Sequence, residues 1–239
     1  VEPVARILLR EAGGNPLALV ELPRALSVEE RAGRTALPRL LRPGEALVRS
    51  YRSRLSQLPG ATRRAALLVA MSEDGAPDAL VAALAAVGLA RDDLAAAEAA
   101  GLVRIAEGSA RMRHPVLRSV VREVAAPAER REAHRAIAGA LDPETDAEVR
   151  AWHLAEAALG PDEDVAGALE RAAVAAAGRT AYAAAAAGME RAAGLSPDSR
   201  AATARRLKAT ELAMAAGRPA WSLALLDGIR EGGPAAAHL

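Results

Sequence analysis

Apolar side chains recur every three to four positions along most of the chain, which is the spacing of an amphipathic α-helix. The first such pattern runs from Pro3 to Ala12. Breaking pairs such as Pro59-Gly60 and Gly160-Pro161 mark the ends of others. Helices are predicted over residues 16–26, 44–58, 61–71, 77–87, 90–100, 114–124, 127–141, 143–159 and 162–177, and again from Ser196. The fold is therefore predicted to be mainly α-helical.

The helical pattern is interrupted at residues 102–113. Two short runs, Leu-Val-Arg-Ile at 102–105 and Ala-Arg-Met-Arg at 110–113, flank a turn that contains Gly108. Such runs around a glycine turn predict a β-hairpin. Three predicted helices precede it, and three helices followed by a hairpin is the order of a winged-helix domain. We assign that domain to residues 58–125.

The C-terminal half contains an internal repeat. Residues 176–182 read Ala-Ala-Gly-Arg-Thr-Ala-Tyr, and 39 positions later residues 215–221 read Ala-Ala-Gly-Arg-Pro-Ala-Trp. A short glycine turn between helices, recurring at this period, is typical of tetratricopeptide-like helical hairpins, whose repeats are roughly 34–47 residues long. Residues 126–239 are predicted to form a helical linker and a tetratricopeptide-like arm.

Composition narrows the classes of function. Of 239 residues 51% are hydrophobic, with no Phe, and alanine predominates, which favours closely packed helices. A net charge of +1 is not the electrostatic signature of a nucleic-acid binder. The lack of Cys excludes disulfide, thiolate and Cys-zinc chemistry. No apolar run approaches the roughly 20 residues that span a bilayer, and no signal-peptide pattern is present, so we expect a cytoplasmic protein with no membrane partner.

A helix–helix corner is predicted at residues 13–19, Gly-Gly-Asn-Pro-Leu-Ala-Leu. Gly13 and Gly14 can adopt the positive φ that ends a helix. Asn15 suits an N-cap, and Pro16 suits the first helical position because it needs no N–H partner. The residues themselves thus explain Pro16 as a structural proline.

This corner resembles the GxP corner of STAND-class signalling ATPases, most closely the large ATP-binding LuxR-type transcriptional regulators related to the maltose-regulon activator. The resemblance continues through three further segments and so spans most of the chain: 113–119 (Arg-His-Pro-Val-Leu-Arg-Ser), 130–135 (Arg-Arg-Glu-Ala-His-Arg) and 151–155 (Ala-Trp-His-Leu-Ala). It implies that residues 1–57 are the end of the helical lid of an ATPase module.

The resemblance also implies two nucleotide-binding residues. In the family, the proline of the GxP corner packs on adenine, which maps to Pro16. The histidine of the His-Pro-Leu-type motif reaches the β-phosphate of ADP, which maps to His114, although Val116 stands where the family has Leu. The alternative for His114 is a plain residue at a strand-to-helix corner. For His134, Trp152 and His153 we expect packing roles.

The chain lacks the motifs of a complete nucleotidase. A P-loop requires a Lys after Gly, and the one lysine, Lys208, follows Leu207 within a predicted helix. We therefore expect no enzymatic activity and no tight ADP or ATP binding by this chain alone. Because it begins at Val1 inside a helical pattern, we expect a segment of a longer regulator. In that protein a P-loop domain precedes it, an unidentified inducer or protein binds the arm, and DNA is bound through a C-terminal helix-turn-helix domain.

Two other interpretations stay open. The first is a free-standing helical-repeat module that binds a peptide or protein and has no nucleotide role. The second is a winged-helix DNA binder. The candidate recognition helix disfavours it, because this helix carries three carboxylates (Asp92, Asp93 and Glu98) and one arginine (Arg91), and the carboxylates would be repelled by DNA phosphates.

Overall fold

The computed structural model describes residues 2–12, 19, 22–23, 26–31, 45–72, 77–106 and 108–230. This part of the chain is mainly helical and contains one small antiparallel sheet, which confirms the predicted helical fold and the predicted hairpin. The chain divides into two units, Val1–Ala140 and Leu141–Leu239.

The first unit holds short helices and the hairpin. Its elements are α1 (Glu2–Ala12), α2 (Val28–Arg31), α3 (Glu45–Ser56), α4 (Gly60–Met71), α5 (Pro77–Ala86), a 3₁₀ helix (Arg91–Leu94), α6 (Ala95–Ala99), β1 (Val103–Ala106), β2 (Ser109–Met112), α7 (Pro115–Val124) and α8 (Pro127–Ala140). The predicted helix over residues 90–100 is thus split into a 3₁₀ turn and a short α-helix. The predicted corner with Pro16 lies outside the described residues.

Helix α4 forms the centre of the first unit. Its residues from Ala65 to Met71 are all buried, as expected for a helix that is covered on every side. It packs against α5, α7, α8 and β2. Helix α8, which the sequence groups with the C-terminal arm, packs here on α4 and α5. Helix α4 is therefore the support against which the hairpin and α7 are held.

The hairpin has an unbroken register. Val103 pairs with Met112, and Ala106 pairs with Ser109. Gly108 adopts a φ of 82°, a left-handed conformation that glycine adopts without steric cost. Beyond β2, the Arg113 N–H donates to the Leu102 carbonyl at 2.9 Å, so the strand pairing continues to the residue before His114.

The second unit consists of successive helices that pack on their neighbours. They are α9 (Ala147–Ala157), α10 (Glu163–Gly178), α11 (Tyr182–Leu195), α12 (Ser199–Ala215) and α13 (Pro219–Arg230). Their core is largely alanine: Ala185, Ala186 and Ala209 are fully buried. An ideal Cβ on Gly188 would lie 3.1 Å from the Cβ of Ala173, so α10 and α11 approach closely enough there that a side chain would make an unusually tight contact.

The two hairpins of the second unit, α10–α11 and α12–α13, repeat at a different interval from the sequence motif. Helix α10 ends at Gly178 and α12 at Ala215, which is 37 positions later rather than 39. The left-handed residue of the first turn is Thr180, and that of the second is Gly217. The Ala-Ala-Gly-Arg motif is therefore two residues out of register with the structure, because alanine-rich helix ends look alike when shifted.

Candidate functional site

His114 is fixed at the junction of the sheet and a helix. It follows β2 and is the N-cap of α7, with φ −138° and ψ 135°. The next residue, Pro115, disfavours helical backbone before it and is itself suited to the first helical position. The His-Pro pair therefore ends the extended segment and begins α7, as the sequence predicts.

The His114 side chain does not make the hydrogen bonds that a side chain at an N-cap position normally makes. It makes no capping hydrogen bond, and its Nδ1 atom is buried without a partner among the described residues. An unsatisfied buried polar group costs about 1–3 kcal/mol. In the same chain, the N-cap carboxylates of Asp162 and Asp198 accept bonds of 3.1 and 2.7 Å from the backbone of Val165 and Ala201. His114 is therefore a poorer N-cap than the aspartates that begin these two other helices.

Helix α7 connects His114 with the N-terminal helix. Its buried side chains include Val116, Leu117 and Val120, and it packs against α1, α3 and α4. Because α1 ends at Ala12, the chain enters the predicted GxP corner from a helix that contacts α7. The shared pocket of Pro16 and His114 stays a prediction, since Pro16 is not described.

The other histidines that lie in the family-like segments are buried in helices. His134 on α8 is 2% exposed, and His153 on α9 is fully buried with its ring edge-on to Trp152 at 5.0 Å. Such burial fits the packing roles expected for them. No group of three His, Asp or Glu side chains able to hold a metal ion occurs in the part of the chain that the structure describes.

A basic surface lies on the hairpin. Arg104 and Arg111 are direct cross-strand partners, and both are exposed. An open surface depression of about 460 Å³ is lined by Glu98, Val103, Arg104 and Arg113. The sequence shows these arginines, but only the register shows that two of them stand opposite each other.

The second unit contains an ion cluster that sequence reasoning missed. Arg205 on α12 is 7% exposed, and its Nε donates to Glu170 at 2.8 Å while its Nη2 donates to Glu163 at 2.6 Å. Its Nη1 donates to the Ser196 hydroxyl. Hydrogen bonding to the Arg205 guanidinium holds the pKa of Glu163 below its ordinary value. The cluster links α10 with α12 and has the character of a structural tie.

Comparison with known proteins does not place the chain in a family. No protein-family model matches it, and no curated protein or solved structure gives a significant match. Within the described ranges, the helices are too short or too polar to cross a membrane. A functional assignment therefore depends on the geometry of the residues themselves.

Proposed function

We propose that the chain is the regulatory segment of an ATP/ADP-switched LuxR-type transcriptional regulator of the cytoplasm. In this proposal His114 donates a hydrogen bond to a phosphate of ADP, which a preceding P-loop domain holds, and Pro16 packs on the adenine. Residues 58–125 act as a winged-helix domain, and the second unit acts as a tetratricopeptide-like arm that binds an inducer or protein. Bound ADP keeps the regulator closed, and exchange for ATP releases it.

The observation that carries the proposal is the buried, unpaired Nδ1 of His114 at the start of α7. A sequence selected for stability alone would place Ser, Thr, Asp or Asn there. Local rules of this kind are broken most often at functional positions, where a ligand supplies what the fold withholds. An imidazole can donate such a bond from either nitrogen, and its charged form also attracts an anion.

The surroundings of His114 also suit an anion. The free N–H groups and the dipole at the beginning of a helix attract phosphate. The first turn of α7 carries no acidic residue, so no side chain of that turn competes for the position. These features favour a phosphate ligand over a cation at this end of the helix.

The test uses the regulator with its nucleotide-binding domain. His114→Ala and His114→Ser are compared with the wild type for ADP retained per protein after purification. We expect both variants to retain ADP about tenfold less tightly, because one charge-assisted hydrogen bond is lost, and to raise basal transcription. The serine variant can restore a helix cap, so its loss of ADP cannot be attributed to unfolding. Unchanged ADP occupancy in both variants would refute the role of His114.

A second candidate function is a free-standing helical-repeat interaction module. It is favoured by the exposed apolar side chains of the second unit, among which Leu207 and Met214 lie two turns apart on one face of α12. The reading frame discriminates the two. A Walker A motif upstream and a helix-turn-helix downstream support the regulator, whereas a start codon nearby without a P-loop supports the module.

A further inference from the structure

One side of the α12–α13 hairpin faces away from the other helices of the second unit. Arg205 turns towards α10, and Leu207 follows two residues later, which is about 200° around the helix. Trp221 donates to Glu190 of α11 at 3.1 Å, and Leu223 again follows two residues later. Both leucines therefore project away from α10 and α11. We call this side of the hairpin the outer face.

The outer face is apolar and exposed. Met214 belongs to it, because a residue seven positions after Leu207 lies on the same side of the helix. Leu207, Met214 and Leu223 are 46%, 53% and 59% exposed. Where no further element packs on a stack of helical hairpins, its outer surface is normally polar. Three large apolar side chains together on this face are therefore characteristic of an interface.

A further hairpin of the same kind does not fit the outer face. The α10–α11 hairpin receives α12 through Glu163 and Glu170, whose carboxylates accept hydrogen bonds from Arg205. The helix ends repeat after 37 residues, so the equivalent positions on α12 are Arg200 and Leu207. Neither side chain can accept a hydrogen bond from an arginine. The ion cluster that joins the two hairpins therefore cannot recur on the outer face.

The charged residues of the outer face are complementary to themselves. Lys208 and Glu211 lie between Leu207 and Met214, and they pair with each other at 2.8 Å while both side chains are more than half exposed. The midpoints of the charged pair and of the apolar pair are one residue apart, which is about 1.5 Å along a helix. A two-fold axis near Thr210 therefore places Leu207 against the partner's Met214 and Lys208 against the partner's Glu211. Contacts between identical surfaces require such self-complementarity.

We propose that the chain forms a weak homodimer through the outer face, with α12 of one copy antiparallel to α12 of the other. The face is apolar, lacks the carboxylates that a further hairpin would need, and carries charges that match under two-fold symmetry. One side of a single hairpin is a small interface, so the dimer is in equilibrium with the monomer. The proposal names the partner for the face on which the second candidate function depends. It needs no nucleotide, so its outcome is separate from the ADP test of His114.

The test is sedimentation equilibrium of the 239-residue chain at about 10–500 µM, where a weak dimer is partly populated. Lys208→Glu and Glu211→Lys each bring like charges together across the axis, and each should weaken the dimer about tenfold. An equal mixture of the two variants brings opposite charges together again. We expect the mixture to form a heterodimer at least as tight as the wild-type dimer. The double variant, which exchanges the two charges within one chain, should also dimerise like the wild type.

The matched control is Arg171→Glu. Arg171 is the equivalent of Lys208 on α10, because it lies 37 residues earlier, and it is also exposed. Its charge reversal alters the net charge by the same amount but should change the dissociation constant less than twofold. Thermal melts of all variants check that the fold is intact, since every substituted side chain is exposed.

Three results would overturn the proposal. The first is a wild-type chain that stays monomeric up to about 500 µM, which would leave the outer face to a different protein. The second is a dimer that Arg171→Glu weakens as much as Lys208→Glu does, which would indicate diffuse electrostatic attraction. The third is a mixture of Lys208→Glu and Glu211→Lys that does not associate, which would show that the two α12 helices are not paired in this way.

Discussion

Thr180 holds a backbone conformation that glycine would adopt without strain. It closes α10 with φ 61°, and among the described residues it is the one non-glycine with positive φ. The Ala181 N–H donates across it to the Ala176 carbonyl at 2.9 Å, which fixes the turn. The corresponding position of the next hairpin is Gly217, with φ 70°. We therefore expect Thr180→Gly to stabilise the protein.

The magnitude follows from two opposing effects. The left-handed conformation costs a residue with a Cβ about 1–2 kcal/mol. Glycine loses more backbone freedom on folding than threonine does, and this offsets about 0.5–1 kcal/mol of the strain that the substitution removes. Thr180 is exposed and its hydroxyl makes no hydrogen bond in the described structure, so no packing is lost. The net increase in the free energy of unfolding is about 0.5–1 kcal/mol, or roughly 2–6 °C in Tm for a unit of this size.

Urea denaturation followed by circular dichroism measures this change, with an unchanged m-value as the sign that the native state is intact. Two controls sharpen the result. Thr180→Ala keeps the Cβ and should stay close to the wild type. Gly217→Thr introduces the same strain into the next turn and should destabilise by a similar amount. A gain in Thr180→Ala equal to that of the glycine variant would show that backbone strain is not the cause.

Three further predictions concern the second unit. Arg205→Met should lower the free energy of unfolding by about 2 kcal/mol, as measured in urea melts. This value lies between those of surface and buried ion pairs, because the guanidinium is buried whereas its carboxylate partners are half-exposed. A loss near zero would contradict the structural role of the cluster. The pKa of Glu163 is lowered in the folded state, so its contribution to stability is present above the ordinary glutamate pKa of 4.5 and is lost as the pH falls through the lowered pKa. Glu163→Gln should therefore flatten the acid-unfolding curve over this pH range. An unchanged curve would count against the pairing of Glu163 with Arg205. Gly194→Ala should stabilise the protein by about 0.5–1 kcal/mol, because the added Cβ contacts no other atom. Gly188→Ala should not show this gain, because its added Cβ would crowd the side chain of Ala173. Thermal melts that rank the two variants the other way would contradict the close approach of the helices.

The sequence predicts local features of this chain well. The His-Pro pair places the start of α7, and the alternating run around Gly108 places the hairpin, because both depend on backbone preferences of adjacent residues. The division of 90–100 into a 3₁₀ turn and α6 is missed by the periodicity, and both pieces pack against α4 in the structure.

Features that depend on tertiary contacts could not be predicted. The unpaired Nδ1 of His114 is set by what surrounds the ring, and the sequence contains no signal for it. Arg205 lies in a helix with charged and apolar residues on every side, so its burial cannot be read from periodicity. The two-residue error in the repeat register arises because the motif aligns Gly178 with Gly217, whereas α10 continues to Gly178 and Thr180 takes the left-handed position that corresponds to Gly217.

The contact between Glu98 and the Ile105 N–H has a consequence for self-association. A two-stranded sheet leaves unpaired backbone donors along its outer edge, and such an edge is a template onto which a strand of another molecule can add. The Glu98 carboxylate accepts one of those donors on β1 and places a negative charge beside it. An incoming strand would have to displace this bond and bring its carbonyl towards that charge. Aggregation by strand addition is therefore disfavoured at Ile105 by a side chain from the preceding helix.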